Sequence, residues 1–443
     1  MSRQLTILLL IISSLSFAQT KGDWKKNAFI FTPEILLGKT MEAYDGFPEI
    51  NLQKQLILSF GRDHGNNPQQ WAQRLKGPKT GLSVGITDFG NVDSLGIAII
   101  SMPFIEFNAF GSNRFKVLTG LGVSYFTEKF NEVTSPNNRA VSTNVTWAFR
   151  LFLNYHFLST KKVDWRAGLG YSHHSNGHTR LMNNGFNSFL LSLSADIKNP
   201  LNKSEEDKVE DIPEFKNSVY DYISIRSGIG QNVFALAFND KKNVYTIAGE
   251  YGKIYNNTFK VGIGFYYRFY QHYYDYIKGE ESLVEPGREF DYFRSNPVYY
   301  ASNFGVVLHG EVLLNHFGID LQLGYNLHKP AYKAEWRINE GWDKTPREIP
   351  KSWVLGELNS KFKKKYRVSS RLGLKYYFLG MEKSPKNNFF IGAHLNSNLG
   401  QADFTEMSLG YIHRFNSPTT SKKKATIKNG CFRNIYNSFD LFL

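Results

Sequence analysis

The 443-residue chain has one cysteine, Cys431, so no intramolecular disulfide is available to hold it. Beyond its first residues it has no long uncharged apolar run, which excludes helical membrane spans. It also has no recognisable nucleic-acid-binding motif, so its formal charge of +14 does not point to DNA or RNA. What it does have is aromatic side chains, 36 Phe and 25 Tyr. Membrane β-barrels combine these properties. Their strands need only alternate apolar residues, which keeps mean hydropathy low, and aromatic girdles mark both interfaces.

The amino-terminal end reads as an export signal. Arg3 precedes the apolar run Leu5–Ala18, which is too short to span a bilayer and ends in the small-x-small pattern Ser16-Phe17-Ala18. A signal peptide over 1–18 and an exported chain from Gln19 are expected. An exported protein without disulfides is held by sheet closure or core packing. Part of the positive charge falls in a basic tail, 416–443, with Lys422, Lys423 and Lys424. The rest suits an anionic membrane surface.

Alternation is clearest at 145–157. Val145, Trp147, Phe149, Leu151, Leu153, Tyr155 and Phe157 share one face, and Asn144, Thr146, Arg150, Asn154 and His156 the other. The same reading gives eight strands near 27–38, 51–61, 79–88, 94–108, 113–125, 142–157, 163–175 and 186–197. After an acidic linker, 198–217, eight more fall near 218–229, 242–252, 256–270, 299–314, 316–327, 366–379, 388–396 and 403–415. The halves 19–197 and 218–415 read as related. Arg150-Leu151-Phe152-Leu153-Asn154-Tyr155-His156-Phe157-Leu158 matches Arg371-Leu372-Gly373-Leu374-Lys375-Tyr376-Tyr377-Phe378-Leu379, and that offset carries His173 onto His394 without a gap. The expected fold is all-β, an outer-membrane barrel of about 16 antiparallel strands from two related halves. The alternative is two tandem eight-stranded barrels. With a periplasmic amino terminus, the long segments 271–298 and 328–365 both fall outside the cell.

Chemistry concentrates in 171–187. Trp165, Ala167, Leu169 and Tyr171 form an apolar face, and the same phase carries His173 and Ser175, about 7 Å apart along the strand. On the next strand Asn187 shares the phase of Phe189, Leu191, Leu193, Ala195 and Ile197. Polar groups at a lipid-facing rim are costly unless they serve a purpose. A Ser beside a His is the minimum for nucleophilic acyl transfer, and an amide oxygen can hold the imidazole tautomer. Asn176-Gly177 offers donors for an oxyanion. Two rival readings remain: a metal cluster of His173, His174 and His178, and a polar rim on a porin or structural barrel.

The run His173-His174-Ser175-Asn176-Gly177, followed by Asn184-Gly185-Phe186-Asn187, resembles the lipid A 3-O-deacylases, the PagL-type or acyloxyacyl hydrolase family. The hallmark is His-x-Ser-Asn and then an Asn-x-Gly turn. The resemblance implies an outer-membrane carboxylic-ester hydrolase that cleaves the acyl ester at the 3 position of lipid A. It implies Ser175 as nucleophile, His173 as base, and Asn176 with Gly177 at the oxyanion. Some members place Glu where this chain has Asn187. Lipopolysaccharide and outer-membrane lipids are the expected partners, and no cofactor is required. The second half replaces the Ser by Asn396 two positions after His394, so it is expected to be a degenerate copy.

Overall fold

The structure, a computed structural model, describes residues 28–160, 162–197, 213–342 and 360–415. The expected signal peptide, 1–18, most of the expected linker, 198–217, and the expected tail, 416–443, lie outside the described residues. Sixteen antiparallel strands form, each within a few residues of its expected position. The first eight are β1 Phe29–Thr40, β2 Gln53–Asp63, β3 Lys79–Asp88, β4 Ile97–Ala109, β5 Ser112–Phe126, β6 Val145–Ser159, β7 Val163–Ser175 and β8 Phe186–Ile197. The second eight are β9 Val219–Asn232, β10 Lys242–Tyr255, β11 Phe259–Tyr270, β12 Ser302–Leu314, β13 Phe317–His328, β14 Val368–Tyr377, β15 Asn387–Asn398 and β16 Gln401–Phe415.

They do not close as one ring of sixteen. β1 pairs with β8, and β9 with β16, so the chain forms two closed barrels of eight. The single large barrel is thereby corrected in favour of the tandem arrangement. Alternation states which side chains face lipid but not which strand closes on which. Leu151, Leu169, Leu191 and Leu193 are exposed on the outer wall of the first barrel, and Ile225, Ile263, Leu308 and Leu409 on that of the second.

Both lumens are filled. In the first, Arg150 Nη2 lies 2.7 Å from Glu34 Oε2, Arg166 Nη1 lies 2.8 Å from Glu106 Oε2, and Lys79 pairs with Asp196. An apolar layer of Ile30, Leu36, Ile57, Phe104, Leu118, Phe152 and Leu190 packs among them. A lumenal cavity of about 10 Å³, bounded by Glu34, Lys79, Glu106 and Arg166, is no larger than one water needs. In the second, Arg371 reaches Asp320 at 2.6 Å and Glu406 at 2.9 Å, and Lys260 and Lys375 reach Glu311 at 3.1 and 2.9 Å. Buried charges persist here because each has a partner, and removing one partner strands the other.

Among the described residues six short α-helices lie in the connections: α1 Gln70–Arg74, α2 Val92–Leu95, α3 Gln271–Lys278, α4 Pro297–Tyr300, α5 Tyr332–Trp342 and α6 Ser360–Arg367. The described parts of the two long segments expected outside, 271–298, 328–342 and 360–365, lie at the same barrel end as the β7–β8 connection, the upper end. They fold over the second barrel, where Tyr270, Tyr273, Ile277, Ala334, Ile338 and Phe404 share one buried cluster.

The barrels touch at both ends. Below, Trp71 and Leu75 at α1 pack with Phe259, Val312 and Leu314 of the second barrel, and Gln70 N–H donates to Glu382 Oε1 at 2.9 Å. Above, Val233 N–H donates to the His178 carbonyl at 3.0 Å, and Leu181 and Asn239 exchange bonds of 2.8 and 2.7 Å.

Candidate active site

The site is built on β6, β7 and β8 at their upper ends. In register, Trp147 faces Ser175 across β6–β7, and His173 faces Asn187 across β7–β8. His173 and Ser175 continue the outward face of Trp165, Ala167 and Leu169, as their phase requires, and Asn187 continues that of Phe189 and Leu191. Ser175 is covered rather than bathed in lipid, at only 3% exposed, while His173 and Asn187 are half-buried. The loop 176–185 folds back over them.

Asn187 Oδ1 accepts two hydrogen bonds, from Tyr171 OH at 2.5 Å and from His173 Nδ1 at 2.8 Å. With the amide oxygen as acceptor, the proton sits on Nδ1 and Nε2 is left as the basic nitrogen. Gly185, at φ +76°, closes the other side. A Cβ there would stand 3.1 Å from His173 Cε1, so any side chain would press on the imidazole. Phe186 inserts below, stacked on Phe89 at 4.2 Å, and fixes where β8 begins. A buried cluster of Phe89, Leu95, Ala98, Phe126, Ala140, Val141 and Phe186 closes the upper mouth of the barrel beneath the site.

Ser175 Oγ receives two donors, Gly177 N–H at 3.2 Å and Asn183 Nδ2 at 3.1 Å. Gly177 adopts φ +68°, a left-handed conformation that favours glycine at this turn. Asn176 is used differently from the expectation. Its Nδ2 donates to Ser142 Oγ and to the Arg180 carbonyl, its Oδ1 accepts from Thr179, and its own N–H meets Asn183 Oδ1 at 2.8 Å. Asn176 therefore shapes the turn, while Asn183 aims at the Ser175 hydroxyl. Asn183 was not foreseen. The only trace of it in the sequence is the amide pair Asn183-Asn184 before Gly185.

The three histidines of the metal reading are not brought together. His174 turns into the lumen, where Nδ1 meets Ser124 Oγ at 2.9 Å and the ring sits edge-on to Phe89 and Phe126. His178 lies in the loop at φ +65°, and burial holds its imidazole below the usual range, hence neutral. Among the described residues, the one cluster with metal-ligand geometry is His309, Glu311 and Asp320. Lys260, Lys375 and Arg371 already neutralise it.

The gapless match of His173 with His394 is also corrected. Arg150 pairs with Ser172, but Arg371 pairs with Asn396. The β14–β15 hairpin is thus three residues longer than β6–β7. An odd shift reverses the face, so His394 points into the lumen, 2.8 Å from Asp320 and from Arg371. The position equivalent to His173 is Ser397, whose register partner is Ala402.

This architecture, with apolar outer walls and polar filled interiors, is that of an outer-membrane β-barrel protein. The family model described as Lipid A 3-O-deacylase (PagL) matches residues 56–196, which include the whole constellation around Ser175. Among curated proteins none matches the chain. Among solved structures it is similar to the outer membrane enzyme PagL at 16% identity, over 37% of this chain and 97% of that one, with a TM-score of 0.28. It is also similar to the NanC porin, at 6% identity over 86% and 100% of the two chains with a TM-score of 0.14, and to OprB of Pseudomonas putida, at 8% over 88% and 93% with 0.17.

Proposed function

We propose that the protein is an outer-membrane esterase that removes the ester-linked acyl chain at the 3 position of lipid A. Ser175 is the nucleophile, His173 the base and Asn187 its orienting group. Gly177 N–H and Asn183 Nδ2 receive the oxyanion, and Asn176 holds the turn that aims them. The observation that carries this reading is the convergence of two donors on Ser175 Oγ beside an imidazole whose Nδ1 is committed to Asn187.

In the first half-reaction His173 Nε2 takes the hydroxyl proton as Ser175 Oγ adds to the ester carbonyl. Collapse of the tetrahedral adduct expels the sugar hydroxyl, which recovers that proton, and leaves an acyl-serine. Water, deprotonated by the same imidazole, then releases the fatty acid. In the unliganded geometry Ser175 Oγ is held by Gly177 and Asn183. The bond to His173 is formed as substrate enters, a tightening common to apo hydrolases. Asn187 orients the ring without supplying a countercharge.

The match over 56–196 supports this class of reaction. The filled lumens favour it over a porin, which needs an open polar channel. The test is release of a 3-hydroxy fatty acid from lipid A by purified, refolded protein, with and without Ser175→Ala. Full activity in that variant removes the mechanism. Loss of wild-type activity with a chelator, restored by zinc, would revive the metal reading.

A further inference from the structure

The second barrel stands against the site. Across the gap from β6, Trp147 Nε1 donates to Thr405 Oγ1 of β16 at 2.9 Å. A methyl group at Gly177 would lie 2.2 Å from Thr405 Oγ1, 3.1 Å from Leu395 Cδ1 of β15 and 3.1 Å from Trp147 Cδ1. The turn that carries the nucleophile is therefore within one side chain of the neighbouring barrel. The loop bonds of His178 with Val233 and of Leu181 with Asn239 hold the two rims at that separation.

Below the contact both walls become apolar. On the first barrel the outward face runs from Trp147 through Phe149 to Leu151. On the second it runs from Thr405 through Met407 to Leu409, and Leu151, Met407 and Leu409 are exposed. Two convex apolar cylinders in contact leave a crevice between them that is open to the hydrocarbon layer. Ser175, in register with Trp147, lies at the level of the contact that closes the upper end of this crevice. An extended acyl chain fits such a crevice, because it exchanges one apolar contact for another while its ester reaches the polar rim.

We infer that the second barrel is part of the substrate site: Leu395 and Thr405, with Trp147, form one wall of the groove that receives the substrate's acyl chain, and they set its chain-length preference. The inference rests on the reading of Ser175 as the nucleophile of a lipid esterase. It gives the second half of the chain a role without a catalytic centre of its own.

The test uses the full-length refolded protein and a phosphorylated glucosamine lipid carrying a short or a long 3-hydroxyacyl ester. Leu395→Trp narrows the groove and Leu395→Ala widens it. Leu323→Trp on the exposed face of β13 is the bulk-matched control, and heat-modifiable migration reports folding. Leu395→Trp is expected to lower the long-to-short ratio of kcat/KM by about tenfold or more, the scale on which apolar pockets discriminate. Leu395→Ala is expected to raise that ratio. Equal losses on both esters, or no change from the control, would overturn the inference. If the wild-type protein cleaves neither ester, the esterase reading fails, and native mass spectrometry of lipid retained by each variant decides the groove. Less long-chain lipid on Leu395→Trp than on Leu323→Trp upholds it; equal retention overturns it.

Discussion

The two barrels share strand number, closure and polar filling, yet differ where chemistry would occur. At the upper end of its seventh strand the first barrel presents His173 and Ser175 outward, with Asn187 in register. The second presents Ser397 and then the two-residue turn Leu399-Gly400, with Ala402 in register. It has no counterpart of the ten-residue loop 176–185 that brings Asn183 and Gly177 to the serine. The difference teaches that the barrel supplies a rigid rim and nothing catalytic. The candidate site depends on the phase of one strand and the length of one loop. In the second barrel a three-residue change in a hairpin is enough to turn the histidine inward.

The comparison can be broken at several points. The largest effect is expected from Ser175→Ala and His173→Ala, each lowering lipid A deacylation by about 10²–10⁴-fold or more. His394→Ala should leave turnover unchanged, because its imidazole is enclosed in the other lumen. Comparable losses from His394 and His173 substitutions would mean that the barrels act as one catalytic unit. Asn183→Ala should cost about 10²–10³-fold in kcat, as loss of an oxyanion donor does. If Asn183→Ala leaves kcat unchanged, the donor has been misassigned.

The lumens sharpen the comparison on stability. Glu34→Ala strands Arg150 in the first barrel, and Asp320→Ala in the second removes one of Arg371's two carboxylates, the other being Glu406, together with the acid partner of His394. Each should cost about 3–5 kcal/mol, read as a lower urea midpoint for heat-modifiable migration, with the larger loss for Asp320. Transplanting the triad into the second barrel as Ser397→His, Leu399→Ser and Ala402→Asn, in a Ser175→Ala background, should restore no detectable turnover, since no loop supplies the donors. Turnover there would show that the rim residues alone suffice.

The smallest effect concerns the cap of the second barrel. Burial, and then the charge of Asp403, raises the Glu335 carboxyl to about 7. The folded cap therefore holds a proton that the unfolded segment releases near its ordinary value of 4.5. Stability from this group is fully present below that value and is lost as pH rises through about 7. Hydrogen exchange over 332–338, corrected for intrinsic rates, should speed up across that window, and Glu335→Gln should abolish the change.

Much of this was legible from alternation alone. Every strand was, as was the outward phase of His173, Ser175 and Asn187, because a period of two is local and strong wherever one face meets lipid. Closure was not, since Phe31 pairing with Ile197 rather than with the last strand leaves no mark on either segment. Asn183 was hidden because its contact with Ser175 depends on how a loop folds back. The match of His394 to His173 misled because similar strands align in any register, and only pairing reveals the longer hairpin. The helices over the second barrel were read only as long external segments.

The double closure has a consequence for assembly in the membrane. The first seam joins Phe31 to Ile197 and the second joins Asp221 to Phe415, so each spans under half the chain. Neither seam has to wait for the opposite terminus. The amino-terminal cylinder can zip shut while the carboxy-terminal half is still being delivered, and its exposed edge is gone before the second pair of edges exists. A ring of sixteen would have kept its first strand unpaired until the last arrived.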